Sequence, residues 1–175
     1  MPHERVIRHG RVEPDAWRFV GLDEGEDLQA LPHGAIVVPL AVWKARRDAL
    51  LARLEPLGVW LEPHDEPGEI AADLPRLALV AVRFPKFTDG RGYSTASLLR
   101  RRYRYAGELR AFGDIGRDQL FYLARVGFDS YRLPEHRDPE AALAAFGDFS
   151  LRYQGSVDDP VPLFRKRAAV EVRHG

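Results

Sequence analysis

The chain has 175 residues, 45% apolar and 30% charged, which suits one globular domain with a tail, since domains cluster around roughly 100–150 residues. Twenty-six basic side chains balance 26 acidic ones, and this zero net charge disfavours a general nucleic-acid binder, which carries a basic excess. Cysteine is absent, so disulfides, thiolate catalysis and an iron–sulfur cluster held by cysteines of this chain are excluded.

Apolar runs such as Leu77–Val82 fall far short of the roughly 20 residues that a membrane-spanning helix needs. The start, Met1-Pro2-His3-Glu4-Arg5, leads into no apolar signal region. The expectation is a cytoplasmic protein without membrane contact.

Residues 5–20 read as a hairpin or two short edge strands, because Val6-Ile7 and Trp17–Val20 are β-prone and His9-Gly10 signals a turn. The acidic, Gly- and Pro-containing stretch Gly21–Gly34 reads as a loop. From Ala35 the pattern becomes regular. Ala35–Leu40 predicts a buried strand and Ala41–Leu57 a helix, with Trp43, Leu50, Leu54 and Leu57 near one face. Gly58 suits the residue after a helix, and Pro56 argues for an earlier end.

Strands are then predicted at Val59–Glu62, Leu77–Phe84, Glu108–Phe112, Ser130–Leu133 and Ser150–Gln154. Helices are predicted at Glu69–Leu74, Ser94–Tyr103 and Asp118–Val126, the last stopped by Gly127. A further helix starts at Asp138-Pro139-Glu140, with an acceptor at the cap and proline at the first position, and closes at Gly147. Such alternation predicts a single α/β domain of repeated βα units. Its sheet is mainly parallel with five or six strands, either open and doubly wound or a partial barrel. Residues 1–34 form the N-terminal β-hairpin and loop, 35–155 the βα core, and 156–175 a C-terminal tail.

In such folds ligands sit at the C-terminal strand ends. The stretch Arg83–Ser94 is one such turn. Lys86, Asp89, Gly90, Arg91, Gly92 and Ser94 are candidates for an anion or partner site, because consecutive N–H groups around the glycines, a helix start and two cations suit an oxyanion. The competing reading is structural: the glycines permit the turn, Ser94 caps the helix and Asp89 braces the loop. The next βα turn supplies Arg110, Asp114, Asp118 and Gln119. If the two strands are adjacent, both turns wall one crevice.

No cofactor motif is present. A dinucleotide fingerprint would need glycine at position 95, which is Thr95, and no Gly-Lys-Ser/Thr P-loop occurs. The run Arg100-Arg101-Arg102-Tyr103-Arg104-Tyr105 suits an acidic partner or RNA, although consecutive helical residues point in different directions. The six histidines are scattered and predict no metal site.

Several motifs together carry a resemblance. They are Phe84-Pro85 with Phe87, Asp89-Gly90-Arg91-Gly92-Tyr93-Ser94, Leu98-Leu99-Arg100 with Arg102, and Gly107–Ala111 with Gly113-Asp114. Asp118-Gln119, Arg125 with Gly127-Phe128-Asp129, Val38–Ala41 with Trp43, and Gly58–Leu61 extend it over nearly the whole chain. The chain resembles a bacterial family labelled probable oxidoreductases involved in sulfite reduction, whose genes commonly lie beside the haemoprotein subunit of sulfite reductase. The resemblance implies an accessory protein of assimilatory sulfite reduction that binds a small oxyanion or the sulfite reductase. It carries no catalytic residues over. Two alternatives are a small flavin- or nicotinamide-dependent oxidoreductase of sulfur assimilation and an RNA-binding module.

Overall fold

The computed structural model describes residues 4–86 and 88–154, with side chains through residue 147. Eight strands form one sheet: β1 (Arg5–Arg8), β2 (Arg11–Pro14), β3 (Arg18–Phe19), β4 (Ile36–Pro39), β5 (Leu57–Leu61), β6 (Leu79–Phe84), β7 (Glu108–Gly113) and β8 (Ser130–Arg132). Helix α1 (Leu40–Leu51) follows β4, and a 3₁₀ segment, Pro67–Arg76, follows β5. Helix α2 (Arg91–Ser97) follows β6 and runs on as a π turn, Leu98–Arg102. Helices α3 (Leu120–Val126) and α4 (Pro139–Gln154) follow β7 and β8.

Across the sheet the order is β2-β1-β8-β7-β6-β5-β4-β3. Strands β3 to β8 are parallel and stand in sequence order, while the β1–β2 hairpin joins β8 antiparallel. Right-handed crossovers in an unreversed order lay successive helices on one face. The sheet is thus a half-barrel, not a doubly wound sheet, and it has eight strands of mixed direction where five or six were expected. The connection from β2 to β3 measures the curl. Those strands are the two sheet edges, yet only Asp15-Ala16-Trp17 joins them. Four Cα steps reach at most about 14 Å, whereas eight flat strands would span about 33 Å.

Register separates two faces. Val38, Val59, Val80 and Leu109 form one row, and Leu61, Val82, Ala111 and Tyr131 another. These pack outward against Trp43, Leu50, Ile70, Leu99, Leu123 and Phe128 in the main core. The alternate residues line the inside. Trp60, Ala81, Arg110 and Ser130 make one layer, and Arg83, Phe112 and Arg132 make the layer above, nearer the C-terminal strand ends. Phe19, Val37, Trp60, Leu79, Ala81 and Phe112 pack there as a smaller apolar cluster.

Several expected boundaries move. Helix α1 ends at Leu51, and Leu54 is fully exposed. Gly58 lies within β5, where a Cβ would stand 2.8 Å from the Leu79 carbonyl oxygen, so its role is close strand packing. The hairpin's second strand is Arg11–Pro14, before the Trp17–Val20 run. Helix α2 begins at Arg91, so Ser94 lies inside it and does not cap it. Residues Ser150–Gln154 continue helix α4 through Gly147 and form no strand. The reason is topological: β1 already occupies the free edge of β8. The C-terminal tail expected at 156–175 lies outside the described residues.

Candidate functional site

The half-barrel is closed below and open above. Below, at the N-terminal strand ends, Asp15 passes under the concave face and binds Arg110. Arg110 is fully buried: its Nη1 donates to both Asp15 carboxylate oxygens at 2.9 and 2.8 Å, Nη2 to Glu108 Oε1 at 2.7 Å and Nε to Ser130 Oγ at 2.7 Å. Above, at the C-terminal ends of β6, β7 and β8, lies an open cleft of about 1190 Å³. This is the end at which barrels and open α/β sheets carry their ligands.

Phe112 and Leu22 form apolar floor of this cleft, and Arg5, Arg83, Arg132 and Arg137 supply cations. Three of these guanidinium groups are held by carboxylates. Arg83 Nη1 donates to Glu62 at 2.8 Å, and Arg132 donates to Glu4. Arg132 also stacks 4.6 Å above the Phe19 ring, which in turn packs on Phe112 with centroids 4.8 Å apart. Arg5 pairs with Glu140 at 2.8 Å, tying β1 to the start of α4. Asp138 accepts from the Glu140 N–H at 3.0 Å, as the helix-start signal predicts. Asp114, Glu135, His136 and Asp138 complete the polar lining.

The turn 86–94 is organised by its own carboxylate. Asp89 accepts from the Arg91 backbone N–H at 3.1 Å and from its Nε and Nη2 at 3.1 and 2.8 Å. The Arg91 side chain thereby holds the Asp89 carboxyl below its ordinary range. An internal carboxylate thus occupies Arg91, the cation expected to meet an oxyanion. Gly90 is the cap residue, and Gly92 lies against Phe84, where a Cβ would come within 2.5 Å of the ring. Lys86 and Ser94 are exposed, and none of these six residues lines the cleft. Replacing Arg91 with Ala is expected to leave the melting temperature almost unchanged, because exposed pairs contribute little. The Asp89 carboxyl titration, followed by NMR, should move back up towards the ordinary value; an unmoved midpoint would contradict the pairing.

Strands β6 and β7 are adjacent, as a shared crevice required. The two turns do meet: Tyr93 hydrogen-bonds Gln119, and the Asp114 N–H donates to the Phe84 carbonyl at 2.6 Å. Their candidate side chains do not gather, however. Asp114 lines the cleft, Arg110 lies in the layer beneath it, and Asp118 is exposed beside Arg117. Gln119 Oε1 accepts from the Gly116 N–H at 2.9 Å and so closes its own turn.

The arginine run divides. Arg101 and Arg102 are exposed. Arg100 is buried and fastens the π turn to two loops, donating to the carbonyls of Gly127, Tyr105 and Gly107 at 2.9, 2.7 and 2.8 Å and to Asp129 at 3.1 Å. Among the described residues, no group of three or more His, Asp or Glu is placed to hold a metal ion, and no helix is long and apolar enough to cross a membrane.

Arg83, Arg132 and Arg137 escape a reading by turns. For Arg83 and Arg132 the signal is a charged residue near the C-terminal end of a strand, on the inward-facing parity; Arg137 lies in the loop beyond β8.

The class defined by this geometry is an α/β half-barrel with an arginine-lined cleft over its C-terminal strand ends. A model of a bacterial protein family of unknown function, DUF934, matches residues 58–164, and the chain belongs to that family. The family description names no reaction or pathway. No curated protein matches the chain.

Proposed function

We propose that the chain is an accessory protein of sulfite reduction that binds an oxyanion group in the cleft above β6, β7 and β8. The observation that carries the binding site is the convergence of Arg83, Arg132 and Arg137 on one open cleft at the ligand end of the fold. Guanidinium groups match the planar, bidentate geometry of sulfur and phosphorus oxyanions. The Glu62 and Glu4 carboxylates each engage one edge of Arg83 and Arg132 and fix their planes. That preorganisation lowers the side-chain entropy lost on binding. The motifs from Phe84 to Asp129 support the pathway through the family resemblance.

Placing the anion in this cleft moves it off the 86–94 turn, where Asp89 takes both Nε and Nη2 of Arg91, whereas Arg83 and Arg132 each give a single nitrogen to a carboxylate. The test is a calorimetric titration of sulfite, sulfate and phosphate into the purified protein, together with the haemoprotein subunit of sulfite reductase. Anion binding weakened by Arg137→Met, or a change in reductase rate on adding the protein, is the expected result. If no anion binds and the reductase neither binds nor responds, the reading is wrong. Arg137 is the choice for substitution because it is exposed on the β8–α4 loop, so its loss leaves the core intact.

A further inference from the structure

We infer that the cleft takes an organic phosphate carrying a hydroxylated sugar and a flat ring, of the nucleoside monophosphate class, in preference to a bare oxyanion. This rests on the oxyanion reading above and names the ligand that bears the anion.

Three features of the cleft point this way. The first is size. At about 1190 Å³ it matches or exceeds the roughly 300–1,000 Å³ of sites that enclose drug-sized ligands. A four- or five-atom anion would leave most of it to water. Such an anion would also gain little from the apolar Phe112 and Leu22 floor.

The second is charge. The lining carries both signs: Arg5, Arg83, Arg132 and Arg137 stand with Glu4, Asp114, Glu135 and Asp138. Glu4 and Asp138 have local work, one on Arg132 and the other at the start of α4. Asp114, on the turn after β7, repels a free anion. Yet a carboxylate accepts hydrogen bonds from sugar hydroxyls, and carboxylates near strand ends take ribose in this way in dinucleotide folds.

The third is order in space. Arg83, Phe112 and Arg132 lie side by side in one register row of β6, β7 and β8. Phe112 therefore stands between the two arginines in the sheet. A flat ring over Phe112 and Leu22 would keep its phosphate within reach of an arginine on either side, and aromatic and guanidinium faces both stack on such rings. Arg137 lies across the cleft mouth against the 113–116 turn, where a Cβ on Gly116 would stand 3.1 Å from its Nη1. Asp114 lies on the same turn and lines the same cleft, so a phosphate-binding and a hydroxyl-binding group share one wall of the site.

Isothermal titration calorimetry with AMP, adenosine, 2′,3′-dideoxy-AMP, inorganic phosphate and sulfite tests the inference. On the wild-type protein AMP should bind most tightly, with adenosine and inorganic phosphate each weaker by about tenfold or more. Dideoxy-AMP should also bind more weakly than AMP, and Asp114→Asn should remove that difference. Arg137→Met should weaken AMP and leave adenosine unchanged. Adenosine binding as tightly as AMP overturns the phosphate contact and the inference with it. Sulfite or phosphate binding as tightly as AMP, and weakened by Arg137→Met, overturns the nucleotide class while the oxyanion reading stands. If none of the five binds, both fall. The comparison of AMP with its dideoxy form uses only wild-type protein, so it holds even if a variant misfolds.

Discussion

Replacing Asp15 with Ala should destabilise the protein by about 3–5 kcal/mol, the usual cost of stranding one member of a buried ion pair. The geometry explains the size. Arg110 and Asp15 side chains are 0% and 1% exposed, so neither group can turn to water when the other is lost. Asp15 takes both Nη1 contacts of the guanidinium. Glu108 and Ser130 remain as partners for Nη2 and Nε, which places the expectation nearer the lower figure. A typical domain is stable by about 5–15 kcal/mol, so the variant keeps only part of its margin. Position amplifies the effect. Asp15 lies in the three-residue link between the two sheet edges, and its bond to Arg110 on β7 pins that link under the half-barrel. Urea unfolding provides the check. Removing both charges together, as Asp15→Leu with Arg110→Met, should cost less than the sum of the single changes, because neither Asp15 nor Arg110 is then stranded by loss of the other, and Glu108 keeps Arg8 at 3.7 Å. An unfolding free energy for Asp15→Ala within about 1 kcal/mol of the parent would show that the pair does not hold the fold.

The succession of βα units is legible in the sequence for a simple reason. Strands such as β4 and β6 are covered on both faces, so Ile36–Val38 and Leu79–Val82 appear as unbroken apolar runs. The half-barrel is not legible. Strand order depends on which edges remain free, and the hairpin's attachment to β8 is a contact between residues more than 120 positions apart, as in Ile7 with Tyr131. The same contact removes the edge on which Ser150–Gln154 would have paired.

The two turns of the candidate site are legible as neighbours, because parallel strands in succession usually adjoin. The roles of their side chains are not. Arg110 reads as a turn residue until register places it mid-strand facing inward, in line with Ala81 and Ser130. Its parity is visible in Glu108-Leu109-Arg110-Ala111-Phe112, where alternate residues face opposite sides. Which side faces a lumen is not visible there. Asp89 and Arg91, two residues apart, satisfy each other locally, so their charges reflect loop bracing before any ligand.

Phe84 is the second place where one atom group carries much of the structure, and Phe84→Ala should cost about 3–5 kcal/mol. Its ring is fully buried and held edge-on by Tyr93 at 5.5 Å and by Phe128 at 5.9 Å, with Gly92 against it. Its carbonyl takes the Asp114 N–H at 2.6 Å, so the residue joins β6, α2 and the turn after β7. Truncation leaves a cavity between a helix and a loop that other contacts hold in place, which limits collapse. The glycine beneath the ring makes a sharper test. A Cβ at Gly92 would fall 2.5 Å from Phe84 Cζ, and the fully buried ring is also packed by Tyr93 and Phe128, so Gly92→Ala should cost about 1–3 kcal/mol by overpacking. Combining Gly92→Ala with Phe84→Leu, which withdraws the distal ring atoms, should cost less than the two changes added together. Thermal and urea unfolding of the four proteins decide it. Strict additivity would mean that the glycine serves the turn's backbone and not the packing of Phe84, and the glycines of the Gly90-Arg91-Gly92 turn would need another explanation.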